Sequence, residues 1–368
     1  MSKTQETVLE INLKYLTHNF DYVKSKLADT TKFMAVVKAF AYGNAADAIA
    51  NHLQNIGVDY FAVAYTQEGV ALRDAGVTKP ILVLHPQPVN FKLLIAYGLE
   101  PNLYSTKVLD GFIALAEDQN QTDYPVHLKF NTGLNRLGFT ENDVDAVISK
   151  LKATNAVNIA SVFSHLVASE DTDAYDFTTT QIQTFKSICA RVSKQLNYAF
   201  LRHLCNTSGI LNYPEAHFDM VRSGIGVYGF GNSDKENNNL IPIASLKSII
   251  SQIHTINAGE SVGYNRAYKS DSVRTIATIP IGHADGISRT YGNGKGFVSI
   301  HNKKAPIIGN VCMDMIMVDV TGINCKESDE VILFDRKYTA EQLAKTTGTI
   351  AYELITAISQ RVKRRIVK

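Results

Sequence analysis

Long apolar runs are missing from this chain: no window of roughly 18 uninterrupted apolar residues occurs, which argues against a transmembrane helix. Cysteine is scarce. Cys189, Cys205, Cys312 and Cys325 are the only four in 368 residues, and they show no paired metal-ligand spacing, so reduced thiols and no metal site are expected. An excess of one charge is missing too. Lys and Arg number 37 against 35 Asp and Glu, a formal net charge of +2, which gives no electrostatic reason to expect nucleic acid or a membrane as partner. No basic segment followed by a small-residue cleavage site opens the sequence, so no secretory signal is expected and a cytoplasmic enzyme is the default class. Internal repeats and low-complexity tracts are absent as well. What remains is 45% apolar, enough for one large core or two domains.

From about residue 33, short β-branched runs alternate with helix-like segments. The runs are Phe33–Lys38, Tyr60–Ala64, Ile81–His85, Pro101–Tyr104, Val126–Asn131, Ile159–His165, Leu201–Thr207 and Met220–Tyr228. Continuous apolar runs suit strands buried on both faces of a parallel sheet, and eight βα units fit a closed TIM-like barrel with its chemistry at the C-terminal strand ends. Polar residues cluster at those ends: Lys38, Arg136 beyond Asn131, His165, Asn206 with Thr207, and Arg222 with Gly224. After the polar segment Gly231–Asn239 the pattern changes. Ser272–Ile281, Gly296–His301, Pro306–Ile308 and Ile316–Val320 are separated by turns without long helices, which predicts a mainly antiparallel β domain. The expected division is 1–235 for the barrel and 236–368 for the β domain, with pairing of the first ~12 residues to the latter left open. A final helix is expected over Ala351–Val362, followed by a basic, solvated tail, Arg361–Lys368.

Lys38 closes the first buried run, where an unpaired ammonium is costly. Desolvation lowers a lysine's pKa, and the neutral amine can attack a carbonyl. Val36-Val37-Lys38 alone fits a strand-end lysine reaching solvent; Tyr42 and Gly43 add a loop suited to supporting a cofactor. The run Val221-Arg222-Ser223-Gly224-Ile225-Gly226-Val227-Tyr228-Gly229 closes the eighth strand. Glycines lacking Cβ let backbone N–H groups approach a phosphate, and loops after strands seven and eight of such barrels often hold one. A glycine-rich turn into the next domain is the plainer alternative. Asn206-Thr207-Ser208-Gly209 puts hydroxyls on the neighbouring loop, and two adjacent donor-rich ends favour the phosphate.

These pieces resemble the alanine racemases, a group of pyridoxal 5′-phosphate enzymes. The matches run in order from about residue 37 to 356: Val37-Lys38-Ala39 with Tyr42-Gly43, His127-Leu128-Lys129, Thr132-Gly133-Leu134-Asn135-Arg136-Leu137-Gly138, Ser164-His165-Leu166 and Asn206-Thr207. They continue through Val221–Ile225, Gly263-Tyr264, Gly282–Gly286, Gly309 with Val311–Asp314, and Tyr352-Glu353-Leu354. The resemblance implies that Lys38 carries pyridoxal phosphate as a Schiff base and acts as one acid–base group at Cα. Tyr264 of a second subunit would be the other, in a homodimer with shared active sites that interconverts L- and D-alanine and supplies D-alanine for cell-wall synthesis. Two bases on opposite faces suit racemisation. Arg222 would face the pyridine nitrogen, steadied by His165. A second positive charge ~4 Å from a guanidinium, at an effective dielectric near ~20, meets a repulsion approaching 4 kcal/mol, so the ring stays unprotonated and reprotonation at Cα is favoured over transamination. Tyr42, Thr207, Gly224, Ile225 and Tyr352 match phosphate-binding positions, and Asn206 joins them as a cofactor neighbour. Arg136 matches a contact to cofactor and substrate carboxylate, Lys129 a lysine carbamylated in some members, Met313 and His283 substrate-site positions, and Asp314 an acidic neighbour.

Some positions depart from the pattern. Phe40 stands where asparagine is usual, Asn44-Ala45 replaces His-Gly, Asn131 replaces an aspartate, His283 a tyrosine and Asn310 an arginine. The last two bear on substrate breadth, so a broader amino-acid racemase is an alternative. A decarboxylase of the same fold group is another, but it would place a glutamate where Arg222 stands. A non-catalytic pyridoxal-phosphate-binding barrel would lack the second domain.

Overall fold

The computed structural model describes Thr4 and residues 6–368. It divides into two compact units: Thr17–Ala41 with Ala46–Leu240, and the described residues up to Leu16 with Tyr42–Ala45 and Ile241–Lys368. In the expected N-terminal stretch, residues 1–3 and 5 lie outside the described residues. Strand β1, Val8–Asn12, belongs to the second of these units.

The first unit is a closed parallel barrel. Its strands are β2 (Lys32–Val36), β3 (Tyr60–Val63), β4 (Ile81–Val83), β5 (Glu100–Leu103), β6 (Tyr124–Lys129), β7 (Val157–Phe163), β8 (Leu201–His203) and β9 (Met220–Ser223). Closure comes from β9 pairing back on β2, which sets Met34 opposite Arg222. The apolar runs are continuous because both strand faces are covered. Phe33, Met34 and Ala35 are buried on consecutive positions, as are Phe61, Ala62 and Val63. Each intervening helix covers the barrel with one stripe. Val144–Lys152 buries Val144, Val147, Ile148 and Leu151, the i, i+3, i+4, i+7 spacing of a single helical face. Burying each such side chain contributes roughly 1.5–3 kcal/mol. Ser105 stops the chain from fraying before Thr106–Asp118, its Oγ accepting from the Val108 amide. The run Met220–Tyr228 is a strand only as far as Ser223; beyond it the glycines turn the chain, and that turn carries part of the site described below.

The second unit is mainly β, as its turn-rich sequence predicts. Its strands are β10 (Ala244–Ile249), β11 (Gln252–Ile256), β12 (Ser261–Val262), β13 (Tyr268–Lys269), β14 (Arg274–Ile279), β15 (Phe297–Ile300), β16 (Lys303–Ile308), β17 (Ile316–Asp319), β18 (Glu330–Phe334) and β19 (Lys363–Val367). Nine strands form one sheet in the order β11-β14-β17-β16-β15-β18-β10-β1-β19, and β12 pairs with β13. The expected C-terminal helix ends early, at Ala357. The basic tail is not solvated chain but the edge strand β19, parallel to β1 from Val8↔Lys363 to Asn12↔Val367. Its charges are compatible with a strand because partners sit beside them: Arg365 pairs with Glu10 at 2.5 Å, and Lys247 pairs with the same carboxylate at 2.8 Å. Arg364 is tied to the carbonyls of Gly43 and Ile358, both at 2.8 Å.

Candidate active site

Lys38 opens a short helical turn, Lys38–Gly43. Ala39, Phe40, Ala41 and Tyr42 all have φ between 52° and 55°, one turn of left-handed helix built without glycine until Gly43. Left-handed residues cost about 1–2 kcal/mol each, so this turn is held by its surroundings. The Ala41 amide donates to the Val37 carbonyl at 2.9 Å, and the Ala39 amide donates to Glu68 Oε1 at 2.6 Å. Glu68 Oε2 also accepts from the amides of Ala64 (2.7 Å) and Tyr65 (3.1 Å), so one carboxylate joins the end of β3 to the start of the turn. Burial and then Arg136 push the Lys38 pKa down, against the opposing pull of Glu68. The amine is thereby readied for the free-base form that attacks carbonyls.

Arg136 rides on the loop after β6. Asn131 shapes that loop: its Oδ1 accepts from the amides of Gly133 (3.1 Å) and Asn135 (2.9 Å). The loop closes where Phe139 N donates to Lys129 O at 2.9 Å, and a Cβ at Gly138 (φ 128°) would meet Asn131 N at 2.7 Å. Lys129, at the end of β6, is buried. Burial, then Arg136, Arg222 and Lys38, pushes its pKa down to about 8. Its ammonium lies 5.8 Å from the Phe163 ring centre, and the Arg222 guanidinium lies 5.3 Å from the same ring.

Arg222 is buried on β9. It donates to His203 Nδ1 (2.7 Å), Ser164 O (2.7 Å), His165 Nδ1 (3.1 Å) and Leu204 O (3.1 Å). Burial pushes it down to about 10, so it stays charged at neutral pH. The His165 pKa lies well below its ordinary value, through burial and then the Arg222 charge, which keeps the ring neutral and able to accept. Lys38, Lys129, Arg136, His165 and Arg222 are thus brought into one electrostatic cluster within the barrel unit.

Beside Arg222, the turn after β9 offers an anion cradle. Gly224 and Ile225 are buried, and among the described residues their N–H groups donate to no acceptor. Thr207 and Ser223 hydroxyls meet at 3.2 Å, and the Gly226 amide donates to Thr207 Oγ1 at 3.2 Å. A Cβ at Gly226 would come within 2.5 Å of Thr207 Cγ2, so only glycine lets the two loops close. Two orphaned buried amides and two hydroxyls fit a phosphate. Asn206 caps the short helix Thr207–Asn212, its Oδ1 accepting from Gly209 N at 2.9 Å and from Ser169 Oγ at 2.8 Å.

The remaining candidates belong to the second unit. Tyr42 and Tyr352 face each other with ring centres 6.0 Å apart. Tyr264 follows Gly263 (φ 77°) and is 72% exposed; Asn310 Nδ2 donates to its carbonyl at 3.1 Å. Met313 is 58% exposed. The His283 amide donates to Cys312 O (2.9 Å) and the Ala284 amide to Met313 O (3.0 Å). A Cβ at Gly282 would lie 2.3 Å from Met313 O, so this glycine permits the approach. Asp314 gains a definite contact: with Asp285 it holds Arg361, at 2.6 and 2.7 Å. Sequence reasoning gave no role to Glu68 or to the buried set Glu100, His127, Ser161 and His203, of which His127 alone falls in a family-like motif. For His127 and Ser161 the available signal was a polar residue inside a largely apolar strand, β6 or β7.

Barrel and cation cluster together define a (β/α)8 enzyme with a mainly-β companion unit. Residues 11–231 match the family model for the alanine racemase N-terminal domain, and residues 243–366 match that for the C-terminal domain. The chain is 35% identical to alanine racemase 1 of Clostridium acetobutylicum across 98% of this chain and 95% of that one. Alanine racemase of Clostridium difficile 630 superposes with a TM-score of 0.93 at 33% identity, covering 100% of this chain and 97% of the other. The Bartonella henselae alanine racemase, solved with covalently bound pyridoxal phosphate, gives 0.88 at 28% identity, covering 98% and 99%. The chain belongs to the alanine racemase family, which are isomerases. Among the described residues no helix is long and apolar enough to cross a membrane.

Proposed function

We propose that this chain interconverts L- and D-alanine as a cytoplasmic homodimer, with pyridoxal 5′-phosphate bound at Lys38. The observation that carries the reading is the pairing of Lys38, its pKa lowered by burial, with a buried Arg222 whose hydrogen-bond acceptors are all uncharged. When bound, pyridoxal phosphate supplies an electron sink that acidifies the Cα–H of an attached amino acid. Lys38 would hold the cofactor's carbonyl carbon and, once released by substrate, remove or return a proton at Cα from one face. Tyr264 of the second subunit would do the same from the other face, and its high exposure in the single chain is consistent with a partner covering it. Arg222 would present a fixed positive charge and an N–H donor to the pyridine nitrogen, and that charge would oppose protonation there. Thr207, Ser223 and the Gly224 and Ile225 amides would bind the phosphate; Arg136 would bind the substrate carboxylate, with Met313 and His283 of the second subunit beside it. The D-alanine formed would serve cell-wall synthesis.

The test is a panel of L-amino acids incubated with enzyme and cofactor and read by chiral chromatography. D-Alanine should appear fastest, and Lys38→Ala should form none and lose the visible absorbance of the bound cofactor. Alanine left unchanged while a larger amino acid racemises would reject the substrate assignment.

A further inference from the structure

Inside the barrel, four buried polar side chains on consecutive strands continue the hydrogen bonding of Arg222 away from the site. Arg222 on β9 meets His203 Nδ1 of β8 at 2.7 Å, and His203 Nε2 lies 2.8 Å from Ser161 Oγ of β7. Ser161 Oγ lies 2.5 Å from His127 Nδ1 of β6, and His127 Nε2 lies 2.6 Å from Glu100 Oε2 of β5. All five residues are buried. The proposed reaction uses only the first.

We propose that Glu100, His127, Ser161 and His203 form a hydrogen-bond chain of a single fixed direction that positions Arg222 and links its positive charge to a carboxylate across the barrel. The direction follows from donor counting. A guanidinium only donates, so His203 Nδ1 must be the bare nitrogen and Nε2 must carry the hydrogen. Nε2–H then donates to Ser161 Oγ. Among the described residues the serine oxygen has two hydrogen-bond partners, both imidazole nitrogens, so its own hydrogen goes to His127 Nδ1. His127 therefore carries its hydrogen on Nε2 and donates to Glu100. Reversing any link sets two hydrogens against each other or leaves a buried hydroxyl without an acceptor, which costs more than the bond is worth. Burial and then the Arg222 charge keep the His203 pKa well below its ordinary value, as a neutral relay requires.

The chain matters because among the described residues Arg222 forms no salt bridge. Glu100 is the nearest carboxylate along its hydrogen bonds. It also faces the Tyr60 hydroxyl, which bonds to it, and the charge of Arg73. Hydrogen bonds in series polarise one another, so an acceptor carboxylate at the far end makes His203 Nδ1 a stronger acceptor for the guanidinium. The four residues are positioning residues. Their role deepens the proposed function, on which it rests for the group that Arg222 faces.

The experiment is long-range 1H–15N correlation on the holoenzyme labelled with 15N-histidine, with His127 and His203 assigned through His127→Asn and His203→Asn. Both rings should be neutral and carry hydrogen on Nε2; an Nδ1–H or doubly protonated ring at either position overturns the proposal. Ser161→Ala cuts the chain. His203, still facing Arg222, should keep its hydrogen on Nε2 but shift its 15N resonances, and kcat for alanine should fall about tenfold with KM within about twofold. Unchanged His203 15N resonances and unchanged kcat in a folded Ser161→Ala enzyme would equally overturn it. The tautomers are read without reference to substrate, so failure of the alanine assignment would leave them standing and is distinguishable.

Discussion

Lys129 shows how far a residue's chemistry depends on its neighbours. Its amine is buried over the Phe163 ring and surrounded by the charges of Arg136, Arg222 and Lys38, which together with burial bring its pKa to about 8. Below that pH it is an ammonium; above it, the free amine that reacts with carbon dioxide. A carbamate there would replace a mutually repelling cation with an anion beside Arg136. Incorporation of label from 13C-bicarbonate, read by 13C NMR, should therefore rise with pH through about 8 and be absent in Lys129→Met. A signal unchanged between pH ~6 and ~9 would count against the carbamate. At this scale much was legible from sequence. Lys38 and Arg222 stand out through the motifs around them, since a lone lysine at a strand end also fits a side chain reaching solvent. Glu100, His127, Ser161 and His203 did not, because they stand on four different strands and become a chain only when the barrel closes.

Elements were legible in kind but not in detail. The apolar runs located the eight barrel strands, since burial on both faces leaves an unmistakable pattern. Conformation between strands was hidden. Nothing in Lys38-Ala39-Phe40-Ala41-Tyr42 announces a left-handed turn, and Phe40 is an unfavourable residue for one. Glu68, 29 residues after Ala39, supplies a carboxylate to the Ala39 amide and helps hold that turn. The tail was misread for a related reason: basic residues suggest solvent, whereas strand pairing uses the backbone and needs only local counter-charges such as Glu10. Truncation after Val362 should remove β19 and lower stability on the order of 3–5 kcal/mol, seen as a drop in thermal midpoint. A solvated tail would leave the midpoint unmoved.

At the scale of the whole molecule, the proposed sharing of Lys38 and Tyr264 between subunits predicts complementation. Lys38→Ala and Tyr264→Phe enzymes, each of low activity, should regain about a quarter of wild-type activity when mixed and allowed to exchange subunits, because half the dimers then hold one intact site. No recovery would place both residues in one chain's site. By itself the sequence determined the barrel, the β-rich second unit, the family and the residue types able to do chemistry, because burial periodicity and reactive side chains are local properties of the chain. Tertiary structure alone decided which of those residues meet. The orphaned amides of Gly224 and Ile225 are displayed by a turn whose closure requires Gly226 against Thr207, and the direction of the chain from Arg222 to Glu100 is set by five strands brought side by side. Donor and acceptor roles are properties of pairs, and pairs exist only after folding.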